Sequence, residues 1–231
     1  MKESLNNTTG KPLNFVLIGR SGCGKGTQAK LLTDFFKNMR IISSGGLLRK
    51  LAKKKTAVGK KIKKILVSGG LPSNDIAVTL WMYEMCQRLE DNEGLIADGF
   101  PRRLKEAISL ARFLEFLGRV ENTYCVLLDI SKEEAFGRLS KRRVCKKCGK
   151  LIPWIGKFRE LEHCDSCGGD LLTRPDDEPK AIKSRLAYYE RWVVPAIRYF
   201  EKKKMLIRVN GDQPIDKVFS DIIGAVSSRV K

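Results

Sequence analysis

The hydrophobic pattern of the chain alternates short apolar runs with amphipathic stretches. Residues 13–18 form an apolar run that ends at Gly19, and from Gln28 onward apolar positions recur at helical spacing. The same kind of short run recurs at three further places, residues 95–97, 124–130 and 205–209. Alternation of buried strands with helices is typical of a parallel sheet covered by helices. The pattern therefore predicts an α/β fold.

Two segments interrupt this alternation. Residues 43–72 have helical spacing, are punctuated by glycine, and carry nine Lys and Arg residues between Arg49 and Lys64 without an acidic residue. Residues 144–180 contain four of the seven cysteines. Because each segment differs in composition from its surroundings, we expect two insertions in one core.

The composition is that of a folded, basic protein. Hydrophobic residues make up 42% of the 231 residues and aromatic residues 8%, which argues against disorder, and no apolar run approaches the ~20 residues of a membrane span. The first dozen residues lack the apolar stretch of a secretory signal, which predicts a cytoplasmic protein. The formal net charge is +19. This excess favours either a nucleic-acid or membrane-facing surface or a site for small polyanions, and charge alone does not separate them.

A glycine-rich turn follows the first predicted strand. Its residues are Gly19-Arg-Ser-Gly-Cys-Gly-Lys-Gly-Thr27, and a helical pattern comes next. Glycines let backbone N–H groups wrap closely round a phosphate, the following helix presents its positive end, and Lys25 supplies a mobile charge. The strict pattern G-x-x-x-x-G-K-[ST] fails by one position, since Gly26 stands where Ser or Thr is required and Thr27 follows. The context of strand, turn and helix still predicts a phosphate-binding loop.

Three motifs resemble those of adenylate kinases and related nucleoside monophosphate kinases. Residues 19–28 are similar to the family's phosphate loop, in which Gly-Thr follows the lysine, although Ser21 replaces its usual Pro. Residues 42–49 resemble its acceptor-binding Ser-Thr-Gly-Asp-x-x-Arg segment, and residues 98–102 match its Asp-Gly-Phe-Pro-Arg. The resemblance covers most of the chain. It implies a P-loop kinase, with a central parallel sheet flanked by helices, that transfers a phosphoryl group reversibly from ATP to AMP and gives two ADP, with Mg²⁺ as cofactor.

The resemblance also implies roles for individual residues. Those expected to act in the transfer are Lys25, Arg102, Arg142, Arg174 and Arg185. Those expected to bind ATP are Gly22, Cys23, Gly24, Lys25, Gly26, Thr27, Arg138, Arg142 and Gln213. Arg138 would stack on the base, and Gln213 would act through its backbone. Those expected to bind AMP are Ser44, Arg49, Gly99, Arg102, Glu106, Arg174 and Arg185, while Asp98 would orient water on Mg²⁺. Phosphoryl transfer needs positioning and charge compensation more than covalent chemistry, which suits arginines.

Four cysteines form two Cys-x-x-Cys pairs, Cys145 with Cys148 and Cys164 with Cys167, separated by fifteen residues. This spacing favours a tetrahedral zinc site with four sulfur ligands, and the adjacent His163 is an alternative ligand. Disulfides are disfavoured in a cytosolic chain, and a redox pair needs no second copy. By resemblance, the two pairs occupy the place of the mobile lid of many bacterial adenylate kinases, which implies a structural Zn²⁺ ion that folds the lid.

Three positions besides Ser21 depart from the family pattern. Ser44 replaces its Thr, Gly46 replaces its Asp, and Glu106 replaces its Gln. A Gln amide both donates to adenine and accepts from it, whereas an ionised carboxylate only accepts. Guanine presents two adjacent donors, so Glu106 makes GMP an alternative acceptor. The substitutions at positions 46 and 106 also leave open a kinase with impaired activity.

The resemblance divides the chain into a core and its appendages. These are a flexible N-terminal tail at 1–12, a core at 13–42, 73–143 and 181–231, a nucleoside-monophosphate-binding insertion at 43–72 and a zinc-binding lid at 144–180. We expect a monomer. The alternative is a non-catalytic zinc-ribbon protein that binds nucleic acid through its basic faces. Such a protein would not need these loop and arginine motifs, so we favour the kinase, for which nucleic acid is an optional partner.

Overall fold

The computed structural model describes residues 12–174 and 177–229, so the predicted tail lies outside the described residues except for its last position. In chain order the strands are β1 (Asn14–Ile18), β2 (Met39–Ser43), β3 (Gly94–Asp98), β4 (Thr123–Asp129), β5 (Arg143–Cys145), β6 (Leu151–Ile152), β7 (Leu171–Thr173) and β8 (Leu206–Asn210). The α-helices are α1 (Lys25–Phe36), α2 (Ser44–Ala52), α3 (Ala57–Val67), α4 (Asn74–Arg88), α5 (Leu104–Phe116), α6 (Lys132–Ser140), α7 (Pro179–Tyr188), α8 (Val194–Lys202) and α9 (Ile215–Ser227).

The central sheet is parallel. In the described part of the chain its five strands have the order β2-β3-β1-β4-β8. Leu17 near the end of β1 lies between Asp98 of β3 and Val126 of β4. The predicted α/β fold with a parallel sheet and flanking helices is confirmed. Because all the strands run the same way, the segments that follow β1, β3 and β4 meet at one edge, where such sheets bind ligands.

Both faces of the sheet are buried, which explains the continuous apolar runs of its strands. All five residues of β1 are buried. Phe15 and Leu17 pack into a core formed with α1, α6, α7 and α9. Val16 and Ile18 pack into a second core formed with α4, α5 and α8. The strand that precedes the phosphate loop is therefore held from both sides.

The edge strand β2 is not predicted by the hydrophobic pattern. Within it Ile42 is buried, but Ile41 is 41% exposed. An edge strand has a neighbour on one side only and needs fewer apolar residues than a central strand. Its parallel pairing with β3 places Ser43 opposite Asp98, at the carboxyl edge of the sheet.

A small antiparallel sheet occupies the cysteine-rich segment. Its strands have the order β6-β5-β7. Arg143 on β5 donates hydrogen bonds from its guanidinium group to the carbonyl oxygens of Leu161 and Phe158, the latter at 2.8 Å. This side chain therefore ties β5 to the short 3-10 turn at Gly156–Arg159. Among the helices of the described residues, none has both the length and the apolar character that a membrane crossing requires.

Candidate active site

The phosphate loop connects β1 to α1 and has a backbone that only glycine adopts easily at its start. Gly19 has φ 149°, and a Cβ atom there would lie 2.5 Å from the carbonyl oxygen of Leu128. Gly24 precedes α1 with φ 100° and has no side chain that could cap the helix, although its carbonyl oxygen accepts the N–H of Thr27 at 3.0 Å. The start of α1 therefore receives no side-chain cap from this residue, which favours an anion at this helix end.

The Lys25 side chain folds over this loop. Its Nζ atom donates to the carbonyl oxygens of Gly19 and Arg20, each at 2.8 Å, and lies 3.4 Å from the Sγ atom of Cys23. Gly22, Gly26 and Thr27 are the remaining predicted residues of this loop. The ammonium group is therefore held at the mouth of the loop by weak neutral acceptors, from which a phosphate would attract it.

A cavity opens between the phosphate loop and the segment after β3. Its polar lining comes from the loop, from that segment and from α7, namely Gly19, Ser21, Lys25, Gly99, Arg102 and Arg185. The link after α3 contributes Gly69 and Leu71, and a π-helical turn at Tyr189–Val193, between α7 and α8, contributes Tyr189. A Cβ atom at Gly69 would lie 2.4 Å from the carbonyl oxygen of Ala181, so the glycine allows the insertion to pack directly on α7. Three cationic side chains thus converge on one partly enclosed space.

Hydrogen bonds connect the ends of β2 and β3. Ser43 Oγ donates to Asp98 Oδ2 at 3.0 Å, and Ser44 Oγ donates to the carbonyl oxygen of Gly99 at 2.6 Å. Arg102 Nε donates to the same carbonyl at 2.7 Å. These contacts position the Asp98 carboxylate, Ser44 and the Arg102 guanidinium side by side at the carboxyl edge.

Arg102 and Glu106 carry opposite charges and lie close together at the start of α5, with Arg102 half-buried and Glu106 buried. Glu106 is 3% exposed, and its Oε2 atom accepts the backbone N–H of Arg102 at 2.9 Å. Burial raises the pKa of Glu106, although this hydrogen bond and the charges of Arg102 and Arg103 oppose the shift. Burial also lowers the pKa of Arg102; Glu106 and Asp98 oppose this, and the positive charge of Arg185 adds to it. A guanidinium that is buried near a like charge gains from an incoming anion.

One buried carboxylate collects three of the predicted arginines. Asp177, whose side chain is fully buried, accepts two hydrogen bonds from Arg142 at 2.8 and 2.7 Å. It also accepts one from Arg185 Nη2 at 2.5 Å, and Arg174 Nε lies 4.0 Å from it. Burial lowers the pKa of Arg142, and the hydrogen bond to Asp177 opposes this shift. Through Arg185 the cluster reaches the cavity, so Asp177 links arginines that precede and follow the cysteine-rich segment.

Three other predicted residues lie away from this cavity. Arg49 is exposed, and its guanidinium lies beside Gly45 on the same helix. A Cβ atom at Gly45 would lie 3.2 Å from Arg49 Nη1. The buried Arg138 side chain donates to Glu134 at 2.6 Å and to the carbonyl oxygen of Gly211 at 3.1 Å. The Gln213 side chain donates to Asp221 at 2.6 Å, which leaves its backbone for other contacts.

Sequence reasoning did not single out Arg103. Its Nη1 atom donates to the carbonyl oxygen of Pro72 at 2.6 Å, and its guanidinium lies 5.2 Å from the centre of the Trp192 ring. Arg103 therefore connects the link after α3 to the core. Sequence reasoning also assigned no role to Asp177. The available signal was an acidic residue three positions after Arg174.

The four predicted cysteine ligands come together. Their Sγ atoms all lie within 4.8 Å of one another, with Cys145 and Cys167 at 3.5 Å and Cys148 and Cys164 at 3.6 Å. Tetrahedral zinc with Zn–S bonds of about 2.3 Å requires S···S separations of about 3.8 Å, so the four thiols fit that ion. His163, the alternative ligand, is exposed and is not part of this cluster among the described residues.

The backbone around the cysteines supports a metal-binding conformation. The N–H group of Cys148 donates to Cys145 Sγ at 3.4 Å and helps to lower the pKa of Cys145 to about 6. A Cβ atom at Gly169 would lie 3.0 Å from the same sulfur. The site is closed on this side by backbone, and its four sulfurs leave no open coordination position for a substrate.

Comparisons with known proteins agree with this geometry. The family model described as "Adenylate kinase" matches residues 17–205. The adenylate kinase of Methanocella arvoryzae is 37% identical over 217 residues, which cover 93% of this chain and 98% of that protein. The adenylate kinase of Treponema denticola is 36% identical over 210 residues, which cover 90% and 96% of the two chains. The adenylate kinase of Clostridium acetobutylicum is also 36% identical, over 91% of this chain and 97% of its own. The chain belongs to the adenylate kinase family.

Proposed function

We propose that this chain catalyses the reversible, Mg²⁺-dependent transfer of a phosphoryl group from ATP to AMP, giving two ADP. The observation that carries the proposal is the cavity at the carboxyl edge of the sheet, where Lys25 of the phosphate loop, Arg102 and Arg185 line one space. The transferring phosphoryl group spreads negative charge over its oxygens, and converging cations stabilise that charge.

The proposed roles follow from the position of each side chain. Lys25 would hold the outer phosphates of ATP, since its partners among the described residues are the carbonyl oxygens of Gly19 and Arg20 and the sulfur of Cys23, with no carboxylate among them. Arg102 would hold the phosphate of AMP with its forked donors. Arg142, Arg174 and Arg185 would surround the migrating group, with Asp177 keeping their guanidinium groups in place.

The nucleotides would occupy opposite sides of this cluster. We assign ATP to the phosphate loop together with Arg138 and the backbone of Gln213, and AMP to Ser44, Arg49, Gly99, Arg102 and Glu106. Arg49 and Arg138 do not reach the cavity in this conformation. We therefore propose that residues 43–72 and 144–180 close over the two nucleotides, which would bring these residues in and exclude water.

Two metal ions fit the proposal. The Asp98 carboxylate at the end of β3 would orient water on Mg²⁺, an ion that keeps several of its water ligands, and Ser43 holds this carboxylate by a hydrogen bond. Bound Mg²⁺ would neutralise charge on the phosphates. The Cys145, Cys148, Cys164 and Cys167 cluster fits Zn²⁺, which we propose as a structural ion that holds the lid.

A coupled assay that follows ADP formation from ATP and AMP tests the proposal. Lys25→Ala should lower kcat by about 100-fold or more, the usual cost of removing one group that stabilises the transition state. Lys30→Ala is the matched control, because Lys30 is an exposed lysine on the same helix. Its activity should stay within about twofold of wild type. Equal activity of the two variants would contradict the role of the loop.

A second acceptor, GMP, is favoured by Glu106. As a carboxylate, Glu106 offers acceptors only, and one oxygen is already engaged by the N–H of Arg102. The other oxygen suits the N–H donors of guanine better than adenine N1, which is itself an acceptor. Turnover of AMP, GMP, CMP and UMP at fixed ATP, in wild type and in Glu106→Gln, tests this reading. Glu106→Gln should raise the ratio of AMP to GMP turnover; an unchanged ratio would exclude a base-reading role.

The pH dependence provides an independent test of Glu106. Because burial raises its pKa, the carboxyl takes up a proton at a higher pH than an exposed glutamate does. The protonated form gains an O–H donor that adenine N1 can accept. The preference for AMP over GMP should therefore increase as the pH falls in wild type, and should not change in Glu106→Gln. A preference that is independent of pH in both proteins would contradict this account.

A further inference from the structure

The two helices that follow β2, and the turn between them, carry a dense group of exposed lysines. We call this group the lysine face, and its members are Lys50, Lys53, Lys54, Lys55, Lys60, Lys61, Lys63 and Lys64, all of them exposed. None of the eight lines the cavity described above. The proposed phosphoryl transfer therefore does not account for them.

The packing of α2 against α3 brings the lysines together. A Cβ atom at Gly59 would lie only 2.3 Å from the carbonyl oxygen of Lys54 and 2.8 Å from that of Leu51, so the missing side chain lets α3 approach the end of α2 closely. Leu48 and Ile62 are buried between them. Lysines of α3 lie on the side of the helix away from Ile62, since 3.6 residues make one turn.

The lysine face has no internal counter-charge. Residues 35–74 contain no Asp or Glu. Within the described residues, none of the eight lysines lies within 4.0 Å of a carboxylate oxygen. Like charges four positions apart on a helix, such as Lys60 and Lys64 on α3, destabilise that helix. The charge is thus concentrated at a cost to the fold, and it is available to an external polyanion.

The surroundings of the lysines narrow the choice of partner. Residues 44–72 contain no aromatic residue, whereas proteins that bind single strands stack the bases on aromatic rings. Helices that lie on membranes insert an apolar face, but Ile62 is buried within the protein, and the exposed Val58 and Val67 stand at opposite ends of α3. Lysines are point charges that contact phosphates without reading bases.

We propose that the lysine face binds the phosphate backbone of double-stranded nucleic acid without sequence specificity. Binding of this kind is driven by the release of counterions from the duplex, so it weakens steeply with salt. The logarithm of the binding constant falls with the logarithm of the salt concentration with a slope of about −0.9 for each phosphate contact. The slope therefore counts the lysines that take part.

Fluorescence anisotropy with a labelled duplex of about 20 base pairs, two turns of the helix, measures this slope between about 50 and 200 mM salt. The measurement is made with a DNA duplex and with an RNA duplex of the same sequence, and the comparison shows which of the two nucleic acids the protein binds. The triple variant Lys53→Gln/Lys54→Gln/Lys55→Gln should reduce the slope by between about 2 and 3, and should weaken binding at least about tenfold at the low-salt end.

The matched control removes the same amount of charge elsewhere. The variant Lys132→Gln/Lys202→Gln/Lys203→Gln changes three lysines that are exposed on α6 and at the end of α8. Its slope should stay within about 0.5 of the wild-type value. An equal effect of the two triple variants would mean that net charge, and not the lysine face, binds the duplex. Binding to phosphatidylserine vesicles but to neither duplex would overturn the proposal.

Different variants should impair catalysis and duplex binding. The triple variant at 53–55 should keep its turnover of ATP and AMP, and Lys25→Ala should keep its duplex affinity. If the triple variant loses its circular dichroism signal, the double variant Lys60→Gln/Lys64→Gln replaces it, with an expected reduction in slope of about 2. Wild-type protein that shows no salt-dependent duplex binding would refute the inference.

Discussion

Replacing Asp177 by Asn removes the charge that holds three arginines and changes almost nothing else. The Asp177 side chain is fully buried, accepts two hydrogen bonds from Arg142 and one from Arg185, and lies 4.0 Å from Arg174. Asn has nearly the same shape and keeps one acceptor oxygen. The substitution therefore tests whether this carboxylate organises the arginines that the proposed reaction uses.

The expected cost follows from burial and geometry. Removing one member of a buried ion pair costs about 3–5 kcal/mol, because the remaining charge stays buried without its partner. The side chains of Arg142 and Arg185 are 15% and 14% exposed, so water partly solvates them and the lower end of this range, about 3 kcal/mol, applies. For a chain of this size, this lowers Tm by about 6–12 °C.

Thermal unfolding followed by circular dichroism, at saturating zinc, measures the shift. Asp212→Asn is the control, because Asp212 also pairs with an arginine, Arg138 at 3.4 Å, but its side chain is 58% exposed. That exposed pair should contribute less than about 1 kcal/mol. We also expect kcat of Asp177→Asn to fall, since its arginines lose their orientation. A Tm within about 2 °C of wild type, together with unchanged kcat, would refute the reasoning.

Three further predictions concern single positions. Gly169→Ala should speed the release of zinc to a chromogenic chelator, because the new Cβ atom would lie 3.0 Å from Cys145 Sγ. An unchanged release rate would mean that the loop around residue 169 shifts to accommodate the methyl group. Gly46→Asp should raise Tm by about 2–4 °C, since a Cβ atom at position 46 meets nothing closer than 3.6 Å and an acid suits the first turn of a helix; a lower Tm would contradict this. Arg103→Ala should raise the KM for AMP about fivefold with little change in kcat, because it loses the hydrogen bond to Pro72. Arg103→Lys should recover part of this loss. A kcat that changes as much as the KM would argue against a positioning role.

The fold could be predicted largely from the sequence because its signals are local. The apolar run before Gly19 and the glycine-rich turn after it each depend on residues that are adjacent in the sequence. In the structure they form β1 and the loop that precedes α1. The cysteine pairs were equally readable, since metal ligands follow a spacing rule. The edge strand β2 could not be predicted in this way. Ile41 is 41% exposed, so the strand is not buried throughout and does not give a continuous apolar run.

The parts of the site that the sequence did not predict depend on distant contacts. Arg142 and Asp177 are 35 positions apart, and nothing in either local motif states that they pair. Arg103 and Pro72 are 31 positions apart and meet only because the link after α3 returns to the core. Side-chain partners of this kind follow from the tertiary packing, which a pattern of hydrophobic positions does not specify.

The stoichiometry of the reaction tests the central claim most directly. Purified wild-type protein is incubated with ATP, AMP and Mg²⁺, and the nucleotides are separated and quantified over time. We expect ATP and AMP to disappear at equal rates, two ADP to form for each ATP consumed, and ATP to be stable when AMP is omitted. Loss of ATP without AMP, or no ADP above the blank with any monophosphate, would contradict it.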